Sequence, residues 1–153
     1  MRVEYADLSL IGDREENQDR VLVIAGEKSV LLIAIDGMGG HSDGAGAAQL
    51  AVETVRDAFG RIQHPVFDPI GFMHLAIGRA HANLVLLGAN QSMEARPRAT
   101  CALCLVQDGA AFFAHVHTIE NIQYRIYRCR NFKSAININT APWSKKKKKK
   151  NYS

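Results

Sequence analysis

A β-hairpin signal in the second half of the chain constrains the fold more than any other feature. Residues 99–107, ATCALCLVQ, and residues 110–116, AAFFAHV, are two apolar runs joined by Asp108-Gly109. An Asp-Gly pair between such runs is typical of a tight hairpin turn, because both turn positions need a positive φ. The chain is therefore predicted to contain an antiparallel sheet.

Three further strands are predicted in the first forty residues. Residues 5–12 and 20–26 flank the polar loop DREENQD, and residues 28–36, KSVLLIAID, form the third strand. This third strand is apolar on both faces, which predicts a central position in the sheet. The glycines that follow Asp36 are expected to end it.

Two helices are predicted between the strands. Ser42 or Asp43 caps the first, and Asp68-Pro69 begins the second, which ends near Gly88. The apolar line of the first helix is Ala48, Val52, Val55 and Phe59, and that of the second is Ile70, Met73, Ile77, Ala80, Leu84 and Leu87. Strands, two helices and then strands predict an α+β domain with helices packed on an antiparallel sheet.

The net charge of +4 is unevenly distributed along the chain. From residue 117 onward ten Lys and Arg face one acid, whereas residues 1–116 hold nine bases and fourteen acids. The basic character therefore belongs to residues 117–153, which include the run Lys145–Lys150 and are interpreted as an aberrant, low-complexity tail, disordered at its end. We hypothesise that a reading-frame change produced this tail. Nucleic-acid binding by the lysine run is the less favoured alternative.

Other classes of protein are not indicated. No run of 18 apolar residues predicts a membrane span, and the N-terminus lacks the features of a signal peptide, so a soluble cytoplasmic protein is expected. Cys101 and Cys104 form a C-x-x-C, but on a strand their side chains should point to opposite faces, and no second pair completes a zinc site. We interpret them as small apolar residues.

Asp36 marks a candidate functional site where an apolar strand ends in Gly37-Met38-Gly39. The loop matches neither the Walker pattern nor the dinucleotide pattern, and a carboxylate before it would repel a bare phosphate. A hard divalent cation would instead favour the carboxylate, and Gly37 leaves its carbonyl accessible to the same ion.

A second acidic cluster precedes the next strand. Neighbouring strand ends could bring Asp19 close to Asp36, and two such carboxylates favour a metal between them. Arg14 offers a planar fork for a phosphate monoester. An acidic loop that only lines a solvated turn remains an equal alternative on these residues alone.

The same residues resemble a known family. GDREENQD at residues 12–19 and IAIDGMGGHSDGAGAAQLAVETV at residues 33–55 are similar to the metal-dependent serine/threonine protein phosphatases of the PP2C (PPM) type in their bacterial form. Its first two motifs are R-x-x-N-[EQ]-D and D-G-M-G-G. RATCALCLVQDGAAFFAHV at residues 98–116 resembles the following hairpin of the family, although Ala99-Thr100-Cys101 replaces the usual Gly-Thr-Thr.

The resemblance covers residues 1–116 and implies a truncated PP2C-like β-sandwich flanked by helices, with Mg²⁺ or Mn²⁺ as cofactor. By position, Asp36 and the Gly37 carbonyl would bind metal, Asp19 would complete the metal cluster, and Arg14 would bind phosphate. The implied reaction is hydrolysis of phosphoserine and phosphothreonine on proteins by a metal-activated water.

The resemblance ends near residue 116. The family's later motifs supply further metal-binding aspartates, whereas this sequence has no Asp after Asp108. Weak or absent hydrolysis is therefore expected, because divalent ions depend on anionic oxygen ligands. The alternative is a non-catalytic phosphatase-like remnant or a phosphoprotein-binding module. An uncovered sheet face is also expected.

Overall fold

The structure, a computed structural model, describes residues 9–11, 15–38, 43–117 and 124–129. Six strands and two helices occupy these residues. They are β1 (Asp19–Gly26), β2 (Ser29–Met38), α1 (Gly44–Gly60), α2 (Pro69–Leu87), β3 (Arg98–Ala99), β4 (Cys101–Gln107), β5 (Ala110–Val116) and β6 (Tyr124–Cys129). The predicted α+β domain with helices on an antiparallel sheet is confirmed.

The strands form one antiparallel sheet in the order β1-β2-β4-β5-β6, with the short β3 paired to the end of β2. The β4–β5 hairpin is as predicted, with positive φ at Asp108 and Gly109. A similar tight turn, with φ 59° at Lys28, joins β1 to β2. The sheet continues past residue 116, since β6 pairs with β5 along its whole length.

Two predictions about the first strands need correction. Residues 9–11 belong to the predicted strand 5–12, but they are not in a strand, and residues 5–8 and 12 lie outside the described residues. The third predicted strand does not end at Asp36, because Gly37 and Met38 continue it by pairing with Ala99 and Arg98. The backbone groups supplied by β3 make this extension favourable despite the glycine.

Both helices begin where the sequence predicts. Asp43 caps α1 by accepting a hydrogen bond from the Gly46 amide, and Asp68 caps α2 by accepting one from the Gly71 amide. The predicted apolar line of α1 is entirely buried. In α2 the line is buried only in its middle, because Ile70 and Leu87 at its ends are 47% and 43% exposed.

The core lies between the helices and one face of the sheet. Its largest buried side chains include Leu31 and Ile33 of β2, Leu105 of β4, Phe59 of α1 and Met73 of α2. Among the described residues, α2 has the length and apolar composition of a membrane span. Its inner face belongs to this core, so the same composition is equally typical of a core helix.

The other face of the sheet is not covered to the same extent. In β2, Leu31, Ile33 and Ile35 are buried, whereas the alternate residues Leu32, Ala34 and Asp36 are exposed. The prediction that β2 is central is confirmed by its two neighbours, β1 and β4. Its apolar composition on both faces is therefore not matched by burial on both faces.

Candidate metal centre

Asp19 and Asp36 are direct cross-strand partners in the β1–β2 pair. The Gly37 amide donates to the Gln18 carbonyl at 3.0 Å, so Gln18 and Gly37 form a hydrogen-bonded pair of the two strands. Asp19 and Asp36 then occupy a non-hydrogen-bonded position, where Cα atoms are about 4.5 Å apart and both side chains lie on one face. The register therefore brings the two residues to neighbouring strand positions, and their role as metal ligands stays a prediction.

The two carboxylates line an open groove of about 420 Å³. Ser9, Leu10, Thr100 and Ala102 contribute to the same groove. Both carboxylates are exposed, with Asp19 at the start of β1 and Asp36 two residues before the end of β2. Like charges directly opposite each other destabilise a sheet, and a divalent cation between them would remove the repulsion.

The turn before β1 is organised by the Asn17 side chain. Its Oδ1 accepts from the Asp19 amide at 2.9 Å, and its Nδ2 donates to Ser9 Oγ at 2.8 Å. This short-range contact of an Asn with the amide two residues on stabilises a turn and sets the direction in which β1 starts. Asn17 thereby positions Asp19 and holds residue 9 beside the groove.

Arg20 fixes the same turn from the opposite face of the sheet. Its Nη1 donates to the carbonyls of Asn17 at 2.7 Å and Asp19 at 2.9 Å, and its Nε donates to Gln49 Oε1 at 2.8 Å. Because Gln49 lies in α1, the helix and the Asp19 turn are tied together. Sequence reasoning did not identify Asn17 or Arg20 as positioning residues, since only the register shows which backbone groups they reach.

Gly37 is required by the close approach of α1 to the end of β2. A Cβ atom at Gly37 would lie 2.0 Å from the Gly44 carbonyl oxygen and 3.1 Å from the Gln18 carbonyl oxygen. A Cβ at Gly44 would in turn lie 3.2 Å from the Gly37 carbonyl oxygen. Access to an ion is therefore not the only reason for glycine at this position, because backbone packing already demands it.

The described residues supply an incomplete set of metal ligands. No group of three or more His, Cys, Asp or Glu side chains suited to a metal ion occurs among them. Two adjacent carboxylates with a nearby carbonyl fit one hard cation whose remaining positions are filled by water. Arg14, the predicted phosphate-binding residue, lies outside the described residues.

The cysteines do not contribute to this site. Cys101 is buried in the core, and Cys104 lies half-buried on the other face, as the strand alternation predicts. Burial raises the pKa of the Cys101 thiol to about 12 and that of Cys104 to about 11. Both thiols are therefore neutral near pH 7 and are poor metal ligands.

The structure is similar to solved structures of bacterial serine/threonine phosphatases. A bacterial serine phosphatase carrying a point substitution matches with a TM-score of 0.72 at 16% identity, over 80% of this chain and 69% of that one. The S. agalactiae serine/threonine phosphatase matches with a TM-score of 0.60 at 22% identity, over 79% and 52% of the two chains. The catalytic domain of PstP, solved in complex with two manganese ions, matches with a TM-score of 0.56 at 23% identity, over 72% and 44%.

These similarities establish the fold. The antiparallel sheet with its two helices is part of a PP2C-like phosphatase fold. The chain spans 69% of the first of these proteins and about half of the other two. No protein-family model matches the sequence, and no curated protein is significantly similar to it.

Proposed function

We propose that this chain is a part of a metal-dependent phosphatase that hydrolyses phosphomonoesters, with phosphoserine and phosphothreonine proteins as its substrate class. The observation that supports this proposal most is the direct pairing of Asp19 with Asp36 at one end of a PP2C-like sheet. The alternative on these residues is an acidic turn that is only solvated.

Each residue would have a distinct role in such a site. Asp19 and Asp36 would hold Mg²⁺ or Mn²⁺, the Gly37 carbonyl would be a further ligand, and Arg14 would bind the phosphate. When bound, the cation supplies Lewis acidity and lowers the pKa of a water molecule, which then serves as the nucleophile. Asn17 and Arg20 keep the Asp19 turn in place without touching the substrate.

Metal binding is the first test, because it does not depend on turnover. Titration calorimetry with MnCl₂ should detect binding to the wild-type chain and its loss in Asp36→Asn. Asp57→Asn is the matched control, since Asp57 is an exposed carboxylate on α1 that pairs with Arg56 instead. Equal Mn²⁺ binding by wild type and Asp36→Asn would show that the carboxylate pair is not the metal site.

Hydrolysis is the second test, with p-nitrophenyl phosphate and a phosphothreonine peptide as substrates. We expect slow hydrolysis that EDTA abolishes, because two carboxylates neutralise only part of the charge of the divalent ions on which this chemistry depends. Rapid turnover by the purified chain would contradict the idea of an incomplete ligand set. Activity that survives both EDTA and Asp36→Asn would overturn the phosphatase proposal.

A non-catalytic phosphatase-like module that binds phosphoproteins is the second candidate. The lack of a third acidic or imidazole ligand near the pair, within the part of the chain that the structure describes, favours it. It predicts binding of a phosphothreonine peptide, weaker binding of the unphosphorylated peptide, and no release of phosphate over long incubation with Mn²⁺.

A further inference from the structure

A surface chain of hydrogen bonds connects α1 with the turn that carries Asp19. Glu53 Oε1 accepts from Gln49 Nε2 at 2.7 Å, and Gln49 Oε1 accepts from Arg20 Nε at 2.8 Å. Arg20 Nη1 donates in turn to the carbonyls of Asn17 at 2.7 Å and Asp19 at 2.9 Å. We call Glu53, Gln49 and Arg20 the α1 relay. Since Glu53 also lines the cleft of about 380 Å³ between α1 and α2, the relay extends from that cleft to the candidate metal centre.

The chemistry of its two neighbours fixes the orientation of the Gln49 amide. A guanidinium has only N–H donors, and a carboxylate has only acceptors. The amide must therefore turn its oxygen toward Arg20 and its nitrogen toward Glu53, because a rotated amide would lose both bonds. Gln49 and Glu53 are four residues apart on α1, the spacing at which side chains on one face of a helix meet. Both bonds have a charged partner, so each is stronger than a bond between neutral groups.

The relay controls one of the two peptide planes that flank Asp19, and the orientations of these planes set the direction of its side chain. The plane before Asp19 is held by the bond from the Gly37 amide to the Gln18 carbonyl. The plane after it is held by the bond from Arg20 to the Asp19 carbonyl. An arginine side chain has many rotamers, so this second bond depends on what fixes the guanidinium. Within the part of the chain that the structure describes, the bond to Gln49 is the one that attaches the guanidinium to another element.

We propose that Gln49 is a positioning residue of the metal centre. Oriented by Glu53, it holds the Arg20 guanidinium in place and thereby fixes the direction in which the Asp19 carboxylate leaves β1. The part of this inference that concerns metal binding rests on the proposed function, whereas the effect on the Asp19 turn does not. The bonds that Gln49 makes to Arg20 and Glu53 are exposed and contribute little net stability, so the relay acts on the geometry of the turn more than on folding.

Amide hydrogen exchange in EDTA, followed by nuclear magnetic resonance, tests the effect on the turn without metal. Gln49→Met removes both bonds and keeps an unbranched side chain that suits a helix. We expect the amides of Asp19 and Gly37 to exchange at least about threefold faster in this variant, with unchanged exchange in α2 and in the β4–β5 hairpin. A merely structural role would change exchange throughout the chain or nowhere. Gln91→Met is the matched control, because Gln91 is an exposed glutamine outside the relay.

An exchange of the two helix side chains provides the rescue. In the double variant Gln49→Glu with Glu53→Gln, the carboxylate accepts from Arg20 and from the amide, so both bonds return with the composition and net charge of the wild type. We expect Gln49→Met to raise the Kd for Mn²⁺ by about threefold to tenfold, less than the loss of a group that contacts a ligand directly. The double variant should restore both the wild-type Kd and the slow exchange of the Asp19 amide. Titration calorimetry with MnCl₂ measures the affinities.

The outcomes separate this inference from the proposed function. Unchanged exchange at Asp19 and Gly37 in Gln49→Met, or a double variant that behaves like Gln49→Met, would overturn the positioning role. Equal Mn²⁺ affinity of the wild type and Gln49→Met would overturn it as well. A wild-type chain that binds no Mn²⁺ would instead contradict the proposed function, while faster local exchange in Gln49→Met would still support the hold of the relay on the Asp19 turn.

Discussion

At the scale of single residues, the pairing of Asp19 with Asp36 places two like charges opposite each other, and a bound cation would offset their repulsion. Neighbouring like charges on adjacent strands cost a fraction of a kcal/mol up to about 1 kcal/mol. Such a local cost is typical of residues that serve binding rather than stability. The repulsion between the two carboxylates can also be measured without an assay of catalysis.

We expect Asp19→Asn to raise the free energy of unfolding in EDTA by up to about 1 kcal/mol, because it removes the repulsion from Asp36. In excess MnCl₂ the wild type should be the more stable of the two proteins. A cation that binds only the folded state stabilises it, and the variant has lost one ligand for that cation. Urea unfolding in both buffers measures the two differences. Glu16→Gln, on the same exposed loop, is the control, and a loss of stability for Asp19→Asn in EDTA would show that the pair is already compensated within the chain.

Burial of the Cys101 thiol makes the free energy of unfolding depend on pH. Burial raises the pKa of this thiol to about 12, above its ordinary value of 9.0. Its contribution to stability is therefore complete below pH 9 and is lost as the pH rises toward 12.

Between pH 8 and pH 10 the wild type should lose on the order of 1 kcal/mol more stability than Cys101→Ala, which has no thiol to ionise on unfolding. The variant will be less stable at both pH values, because it loses packing in the core. The slope of the unfolding free energy against pH is therefore the quantity to compare. Parallel slopes for the two proteins would contradict the burial of this thiol.

At the scale of elements, the position of α1 relative to β2 depends on two glycine backbones in contact. A Cβ atom added at Gly37 would lie 2.0 Å from the Gly44 carbonyl oxygen, so the helix would have to move away from the strand end. The same movement would strain the Arg20–Gln49 hydrogen bond that ties the Asp19 turn to the helix. Helix docking and the geometry of the acidic pair are thus coupled.

Two Gly→Ala variants should therefore have opposite effects. Gly37→Ala should destabilise the fold by more than about 1 kcal/mol, because a backbone clash must be relieved. Gly78→Ala, in the middle of α2 with nothing within 4 Å of the added Cβ, should stabilise it by about 0.5 to 1 kcal/mol through helix propensity. Thermal unfolding of both variants measures the effects, and a neutral Gly37→Ala would show that α1 does not approach β2 so closely.

A second element-scale contact holds the loop between the helices against the sheet. The buried Gln107 side chain donates to the Val66 carbonyl at 2.8 Å and accepts from the Val66 amide at 2.9 Å. Nearby, His64 contacts Ser29 Oγ at 2.8 Å and the Phe59 carbonyl at 3.1 Å. These bonds satisfy buried polar groups at the end of the sheet that is far from Asp19 and Asp36, so this end is structural.

At the scale of the whole molecule, a cation bound at the Asp19–Asp36 pair would stabilise the entire fold, because a ligand that binds only the folded state shifts the unfolding equilibrium toward it.

We expect MnCl₂ to raise the midpoint of thermal unfolding of the wild-type chain and to leave that of Asp36→Asn nearly unchanged. KCl at equal ionic strength gives the effect of screening alone. An equal shift in both proteins would contradict metal binding at the pair.

Local sequence signals predicted both helices and the β4–β5 hairpin correctly. The Asp108-Gly109 turn, the Asp68-Pro69 helix start and the apolar line of α1 all depend on interactions between residues close in the chain, and such interactions leave a readable pattern. The meeting of Asp19 and Asp36 was also predictable, because adjacent strands of a hairpin have one favoured register. Their metal-binding role stays a prediction.

The sequence by itself determined the antiparallel sheet, the two capped helices and the acidic pair, since each is encoded by turn chemistry and by side-chain periodicity. Only the tertiary structure decided that β3 extends β2 past Asp36, that Gly37 is needed for contact with Gly44, and that Leu32 is exposed although its strand is apolar on both faces. The physical reason is that backbone approach and burial depend on which distant segments pack together, and a strand's composition does not specify what covers it.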